Sequence, residues 1–150
     1  MTLFRCTSPG MRLRQPIPIN MKNEFPFCTF IVDDDKFCRE LYQYNLKALG
    51  LKEVYQFDNG QDCLNSLVLE PDLVLLDHYM KPLSGLEVLR AIKAYNPEIF
   101  VVIISGQEEM QLPILAMEYG AFDYVVKSDV TEERLEKIVE KIQAIKQTPH

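Results

Sequence analysis

Pro71-Asp72-Leu73-Val74-Leu75-Leu76-Asp77 sets an unbroken apolar run between two acids. A strand with one wet face alternates apolar and polar residues; one that is apolar at successive positions is covered on both faces. The run is also too short for an ordinary helix. Pro71 therefore opens a strand whose buried stretch is Asp72–Leu76. Similar β-prone runs lie on either side of it: Phe27–Val32 (FCTFIV) upstream, and Ile99–Ile104 (IFVVII) and Phe122–Val126 (FDYVV) downstream. Glu53–Phe57 supplies one more strand ahead of the Asn59-Gly60 turn.

Between these runs the spacing turns helical. Asp35–Leu49 repeats Phe37, Leu41, Tyr44 and Ala48 and is stopped by Gly50. Gln61–Leu69 is a short helix. Gly85–Tyr95 places Leu86, Leu89 and Ile92 on one face, and Glu109–Tyr119 ends at Gly120. A last helix, capped by Asp129 or Thr131, turns Leu135, Ile138, Val139, Ile142 and Ile145 inward. Five β-α units in a row predict an α/β domain built on a doubly wound five-stranded parallel sheet, with helices on both faces. A closed eight-unit barrel needs about twice the length.

Residues 1–25 read differently. Pro9, Gly10, Pro16 and Pro18 interrupt them and no periodicity persists, so a flexible N-terminal tail is expected there, with Met21 an alternative start. Residues 26–147 form the domain. The first 22 residues carry four basic groups and no acid; the rest holds 12 basic against 22 acidic residues, a net of −10. That surface repels a phosphate backbone, which argues against direct nucleic-acid binding. The four cysteines include no C-x-x-C pair and there are two histidines, so a zinc site is not supported. Scattered thiols in a well-cored domain point to the cytoplasm, and no apolar run is long enough to span a bilayer.

In an open α/β sheet, ligands sit beyond the carboxyl ends of the strands. The first strand ends in Asp33-Asp34-Asp35, the third in Asp77, the fourth in Ser105, the fifth in Lys127. If the strand order is 2-1-3-4-5, these ends share one crevice. Several carboxylates in one place need more positive charge than Lys127 supplies, and a hard divalent cation such as Mg2+ answers that demand. One carboxylate can then attack a phosphoryl group, with the cation and Lys127 offsetting charge on the transferring oxygens. Asp77, alone at the end of a central strand and followed by Met80, Pro82 and Gly85, is the expected nucleophile.

These residues carry a resemblance. Ile31-Val32-Asp33-Asp34-Asp35, Leu75-Leu76-Asp77 with Met80 and Gly85, Ile104-Ser105-Gly106, and Tyr124-Val125-Val126-Lys127 resemble a response-regulator receiver domain of two-component signalling, over residues about 27 to 147. The resemblance implies a flavodoxin-like sheet of order 2-1-3-4-5. It implies that Asp33 and Asp34 hold Mg2+, with Asp77 and the backbone carbonyl of Tyr79 completing the metal site. It makes Asp77 the phosphorylated residue and Asp77, Ser105 and Lys127 the catalytic set. Ser105 and Tyr124 would be the switch. The implied partners are a sensor histidine kinase or phosphotransfer protein, and a downstream protein on the surface of helix four, strand five and helix five. The chain would act as a stand-alone receiver and turn over no separate metabolite.

Two positions depart from the family pattern. Lys81 stands where proline usually follows the residue matching Met80. Ser128 follows Lys127, where the family commonly has proline, often after a cis bond. A non-proline cis bond costs about 2.5–4 kcal/mol, so Lys127–Ser128 is expected to be trans, or cis under strong local contacts. A binding module that is not phosphorylated, a phosphatase using Asp33 as nucleophile, and a flavin or nucleotide carrier are the competing readings. The last is disfavoured because three acids after the first strand repel a phosphate. Asp35 is expected to cap a helix and His78 to be a surface neighbour. Met110, Met117 and Tyr119 are either core or an exposed contact patch.

Overall fold

The computed structural model describes residues 25–106 and 110–148. The expected tail lies outside these residues except at Phe25, which begins a strand. The elements run β1 (Phe25–Val32), α1 (Lys36–Ala48), β2 (Leu51–Phe57), α2 (Gly60–Asn65), β3 (Leu73–Asp77), α3 (Gly85–Tyr95), β4 (Phe100–Ser105), α4 (Gln111–Glu118), β5 (Asp123–Val126) and α5 (Glu132–Gln147). Short 3-10 turns occupy Leu67–Leu69 and Lys127–Asp129. The strands form one parallel sheet in the order β2-β1-β3-β4-β5.

Alternation along β3 shows why the run had to be continuous. Leu73 and Leu75 enter a core with Ile31, Leu46, Leu135, Ile138 and Ile142, beneath α1 and α5. Val74 and Leu76 enter the opposite core with Phe30, Val88, Leu89, Ile92 and Ala116, beneath α2, α3 and α4. All five β3 residues are buried. Each such aliphatic side chain contributes roughly 1.5–3 kcal/mol by leaving water, so β3 anchors both layers at once.

Helix starts follow capping chemistry. Asp35 caps α1, accepting from the Phe37 amide at 2.9 Å. Ser84 and Glu87 form a reciprocal capping box on α3. Of the two expected caps for α5, Thr131 is the one used; its Oγ1 accepts from the Arg134 amide at 3.1 Å.

Two faces differ from expectation. The α1 stripe Phe37, Leu41, Tyr44 points outward, with Phe37 73% and Tyr44 72% exposed. The buried side is instead Tyr42 and Leu46, with Cys38 and Leu49 packed beside them. In α5, Leu135, Ile138, Val139 and Ile142 are buried as expected, but Ile145 is exposed near the helix end. Among the described residues no helix is long and apolar enough to cross a membrane.

Candidate functional site

The sheet order places a switch point between β1 and β3, whose connections leave in opposite directions. Asp33 follows β1 and still belongs to the sheet, since its amide donates to the Phe57 carbonyl at 3.1 Å. Asp77 ends β3 opposite Ile104. Both are buried, at 1% and 2% exposure, while Asp34 between them and solvent is exposed. Oxygens of Asp33, Asp34 and Asp77 lie within 4.8 Å of one another.

Lys127 reaches this group from beyond β5. Its aliphatic stem passes Gly106, close enough that a side-chain carbon there would lie 3.8 Å from Lys127 Cδ. Its Nζ stands 3.3 Å from Asp33 Oδ2 and 3.7 Å from Asp77 Oδ1. Those two oxygens are buried and lack a well-formed hydrogen bond. The ammonium attracts both carboxylates but is too far from them, or too poorly aligned, to saturate either. The other oxygen of Asp33 accepts the Asp35 amide at 2.8 Å.

The electrostatics follow from this shortfall. Burial, then the Asp33 charge, pushes the Asp77 carboxyl up to about 7, against the pull of Lys127. Burial also raises Asp33, although the Asp35 amide and Lys127 oppose it. Burial pulls Lys127 down, but Asp77 and Asp33 outweigh it, so the ammonium is held above its ordinary value. Buried carboxylate oxygens without full partners, three acids in reach of one point and a single lysine together fit a hard, oxygen-loving cation.

The loop after Asp77 is tightly folded. The His78 carbonyl accepts from Met80 at 3.1 Å and from Gly85 at 2.9 Å. A side chain at Gly85 would come 2.6 Å from His78 Cα and 2.7 Å from the Asp77 carbonyl oxygen, so only glycine fits there. Lys81–Pro82 is a cis bond. Tyr79 is exposed, with its ring edge-on to His78 at 4.8 Å. His78 is half-buried, not the surface neighbour expected.

Ser105 ends β4, fully buried and opposite Val126. Tyr124, opposite Ile103, packs against the core that holds α3 and α4. Lys127–Ser128 is not among the cis bonds of the described residues. A 3-10 turn, closed by the Val130 amide on the Lys127 carbonyl at 3.2 Å, replaces proline at this bend, and Lys127 still faces the acids. The structure thus gathers Asp33, Asp34, Asp77 and Lys127. Sequence reasoning missed Arg39, which donates from Nη1 to the Asp33 carbonyl at 2.8 Å. No sequence pattern marks a side chain whose acceptor is a backbone carbonyl.

The response regulator receiver domain pattern matches residues 29–140, most of the described chain. The chain belongs to the response regulator receiver domain family. Response regulator GacA of Pseudomonas aeruginosa is 36% identical over 110 residues, covering 72% of this chain and 51% of that protein. The transcriptional regulator NtrC of Escherichia coli is 33% identical over 99 residues, covering 65% of this chain and 21% of that protein. Among solved structures, the BeF3-activated DrrB receiver domain is 30% identical with a TM-score of 0.71, covering 80% of this chain and 99% of that one. A CheY-like receiver from Methanospirillum hungatei shares the fold at 24% identity and a TM-score of 0.72, over 80% of this chain and 96% of that one. This receiver spans about half of GacA and about a fifth of NtrC. Those relatives lend no support to the expected stand-alone organisation.

Proposed function

We propose that this receiver, residues 26–147 with 1–25 as a tail, takes a phosphoryl group onto Asp77 from a phosphohistidine of a sensor histidine kinase or phosphotransfer protein. The observation that carries the proposal is the buried Asp77 carboxylate within 4.8 Å of the Asp33 and Asp34 oxygens, with Lys127 Nζ 3.7 Å away. Asp33, Asp34 and Asp77 would hold Mg2+, with the Tyr79 carbonyl and waters filling the remaining positions. When bound, the cation neutralises oxygens of the transferring group and keeps Asp77 ionised.

The chain's own residues do the rest. Asp77 is the nucleophile: its carboxylate oxygen bonds to phosphorus as the phosphorus–nitrogen bond breaks, and the leaving imidazole takes up a proton. Lys127, already shared between Asp33 and Asp77, pairs with a phosphoryl oxygen. Ser105 donates its hydroxyl to another. Drawing Ser105 toward the phosphoryl group opens space for Tyr124, which couples Asp77 to the surface of α4, β5 and α5.

That surface is supported as a protein contact by its exposed apolar groups. Met110, just before α4, is 91% exposed and Met117 in α4 52%, and Ile114 in α4 and Ile145 in α5 are exposed as well. Tyr119 is instead half-buried under the Arg90 guanidinium, 4.9 Å from its ring centre. The acidic domain argues for a protein partner in the cytoplasm over direct nucleic-acid contact. Incubation with acetyl phosphate and Mg2+, read by intact mass, tests the proposal. One added phosphoryl group is expected on the wild type and none on Asp77→Asn; equal labelling of both defeats it.

A further inference from the structure

The loop carrying Asp33 and Asp34 is tied down from outside the acidic pocket. Arg39, early in α1, donates from Nη1 to the Asp33 carbonyl at 2.8 Å and from Nε to Gln56 Oε1 in β2 at 3.1 Å. Gln56 Nε2 donates in turn to Gln43 Oε1, one turn further along α1, at 3.1 Å. The guanidinium is a rigid planar fork, and here it ties the loop itself to β2.

Asp34 depends on that hold. Its side chain is exposed and, among the described residues, forms no side-chain hydrogen bond. No side-chain partner holds its carboxylate in place, so what the fold fixes is the position of the backbone and Cβ from which that carboxylate reaches. The Asp33 carbonyl is one end of the planar peptide unit joining Asp33 to Asp34. Turning that plane swings the Asp34 side chain away from Asp33, whose own carboxylate stays fixed on the Asp35 amide at 2.8 Å. Mg2+ demands near-ideal octahedral placement of its ligands and tolerates such a swing poorly.

We propose that Arg39 is a positioning residue for the cation: braced by Gln56, it holds the Asp33 carbonyl and so aims Asp34 into the acidic triad, without touching the cation or the phosphoryl group. The inference rests on reading Asp33, Asp34 and Asp77 as a Mg2+ site. Arg39 also links α1 to β2, so the competing view makes it a fold clamp whose loss costs stability alone. Partners that orient metal ligands from outside change metal affinity by about 10–100-fold.

Calorimetric Mg2+ titration of the wild type, Arg39→Gln and Arg39→Lys, at fixed ionic strength, separates the two views. Arg39→Gln should weaken Mg2+ binding about 10-fold and, in metal-free protein, speed hydrogen exchange at the Asp34 and Asp35 amides. Arg39→Lys, which keeps a donor for the carbonyl, should fall between. Labelling of Asp77 by acetyl phosphate should recover its wild-type rate in Arg39→Gln once Mg2+ saturates. Gln56→Ala keeps the guanidinium but removes its brace; it should also weaken Mg2+, and it decides the matter if Arg39→Gln does not fold. Unchanged Mg2+ affinity in folded Arg39→Gln, or in Gln56→Ala, overturns the role, as does a labelling defect that saturating Mg2+ leaves in place. A wild type that takes up no Mg2+ overturns it together with the reading of the site.

Discussion

Replacing Asp77 with asparagine should stabilise the metal-free receiver, by an amount that grows with pH. The carboxyl is 2% exposed. Burial and the neighbouring Asp33 charge raise it to about 7 from an ordinary 3.8, despite Lys127. An acid whose pKa is higher in the folded than in the unfolded state costs stability when it ionises. The cost is absent below about pH 4, grows as pH rises toward 7, and is complete above that. At roughly 1.4 kcal/mol per pH unit of difference, the ceiling is about 4 kcal/mol. The asparagine amide keeps the shape and removes the charge, so Asp77→Asn should gain about 2–4 kcal/mol at pH 8 and close to nothing near pH 4. The pH dependence that burial of Asp33 contributes is present in both proteins, while its repulsion with Asp77 is lost with the charge and adds to the gain. Urea unfolding in chelator, followed by circular dichroism because the chain has no tryptophan, measures it. A variant no more stable than wild type at pH 8, or a gain that is the same at pH 5 and pH 8, would show that ionised Asp77 does not strain the fold.

Mg2+ at about 100 times its Kd should stabilise the wild type by about 2.7 kcal/mol, an effect that thermal melting should find largely lost in Asp34→Asn. Gly85→Ala places a carbon 2.6 Å from His78 Cα and 2.7 Å from the Asp77 carbonyl oxygen; both are backbone atoms, so about 2–3 kcal/mol of destabilisation is expected from urea midpoints. Thr29 is fully buried in β1 and its hydroxyl has no hydrogen-bond partner among the described residues. Thr29→Val should therefore raise stability by about 1 kcal/mol in the same assay, and a loss would show that the hydroxyl is bonded after all.

The sheet was legible because β1, β3 and β4 bury both faces, which leaves a sequence mark that half-wet strands lack. The polar residues that end them were legible for the same reason: Asp33, Asp77 and Ser105 each break an apolar run at its carboxyl end. Helix α1 was harder. Phe37, Leu41 and Tyr44 recur at helical spacing, but so do Cys38, Tyr42, Leu46 and Leu49, and periodicity cannot choose between two overlapping stripes. Packing against β1 and α5 chose the second. The bend after Lys127 was illegible for another reason. A 3-10 hydrogen bond on the Lys127 carbonyl does what proline does elsewhere, and its donor, Val130, carries no turn signal. Arg39 escaped notice because its partners are a carbonyl and a glutamine distant in sequence.

Which residue carries the phosphoryl group can be read directly. Reducing the acetyl phosphate-treated protein with borohydride converts an acyl phosphate to an alcohol, and peptide sequencing by mass spectrometry then locates it. The alcohol is expected at residue 77, with Mg2+ required for its formation. An alcohol at Asp33 or Asp34, or a phosphoryl group that survives hydroxylamine, would contradict phosphorylation of Asp77.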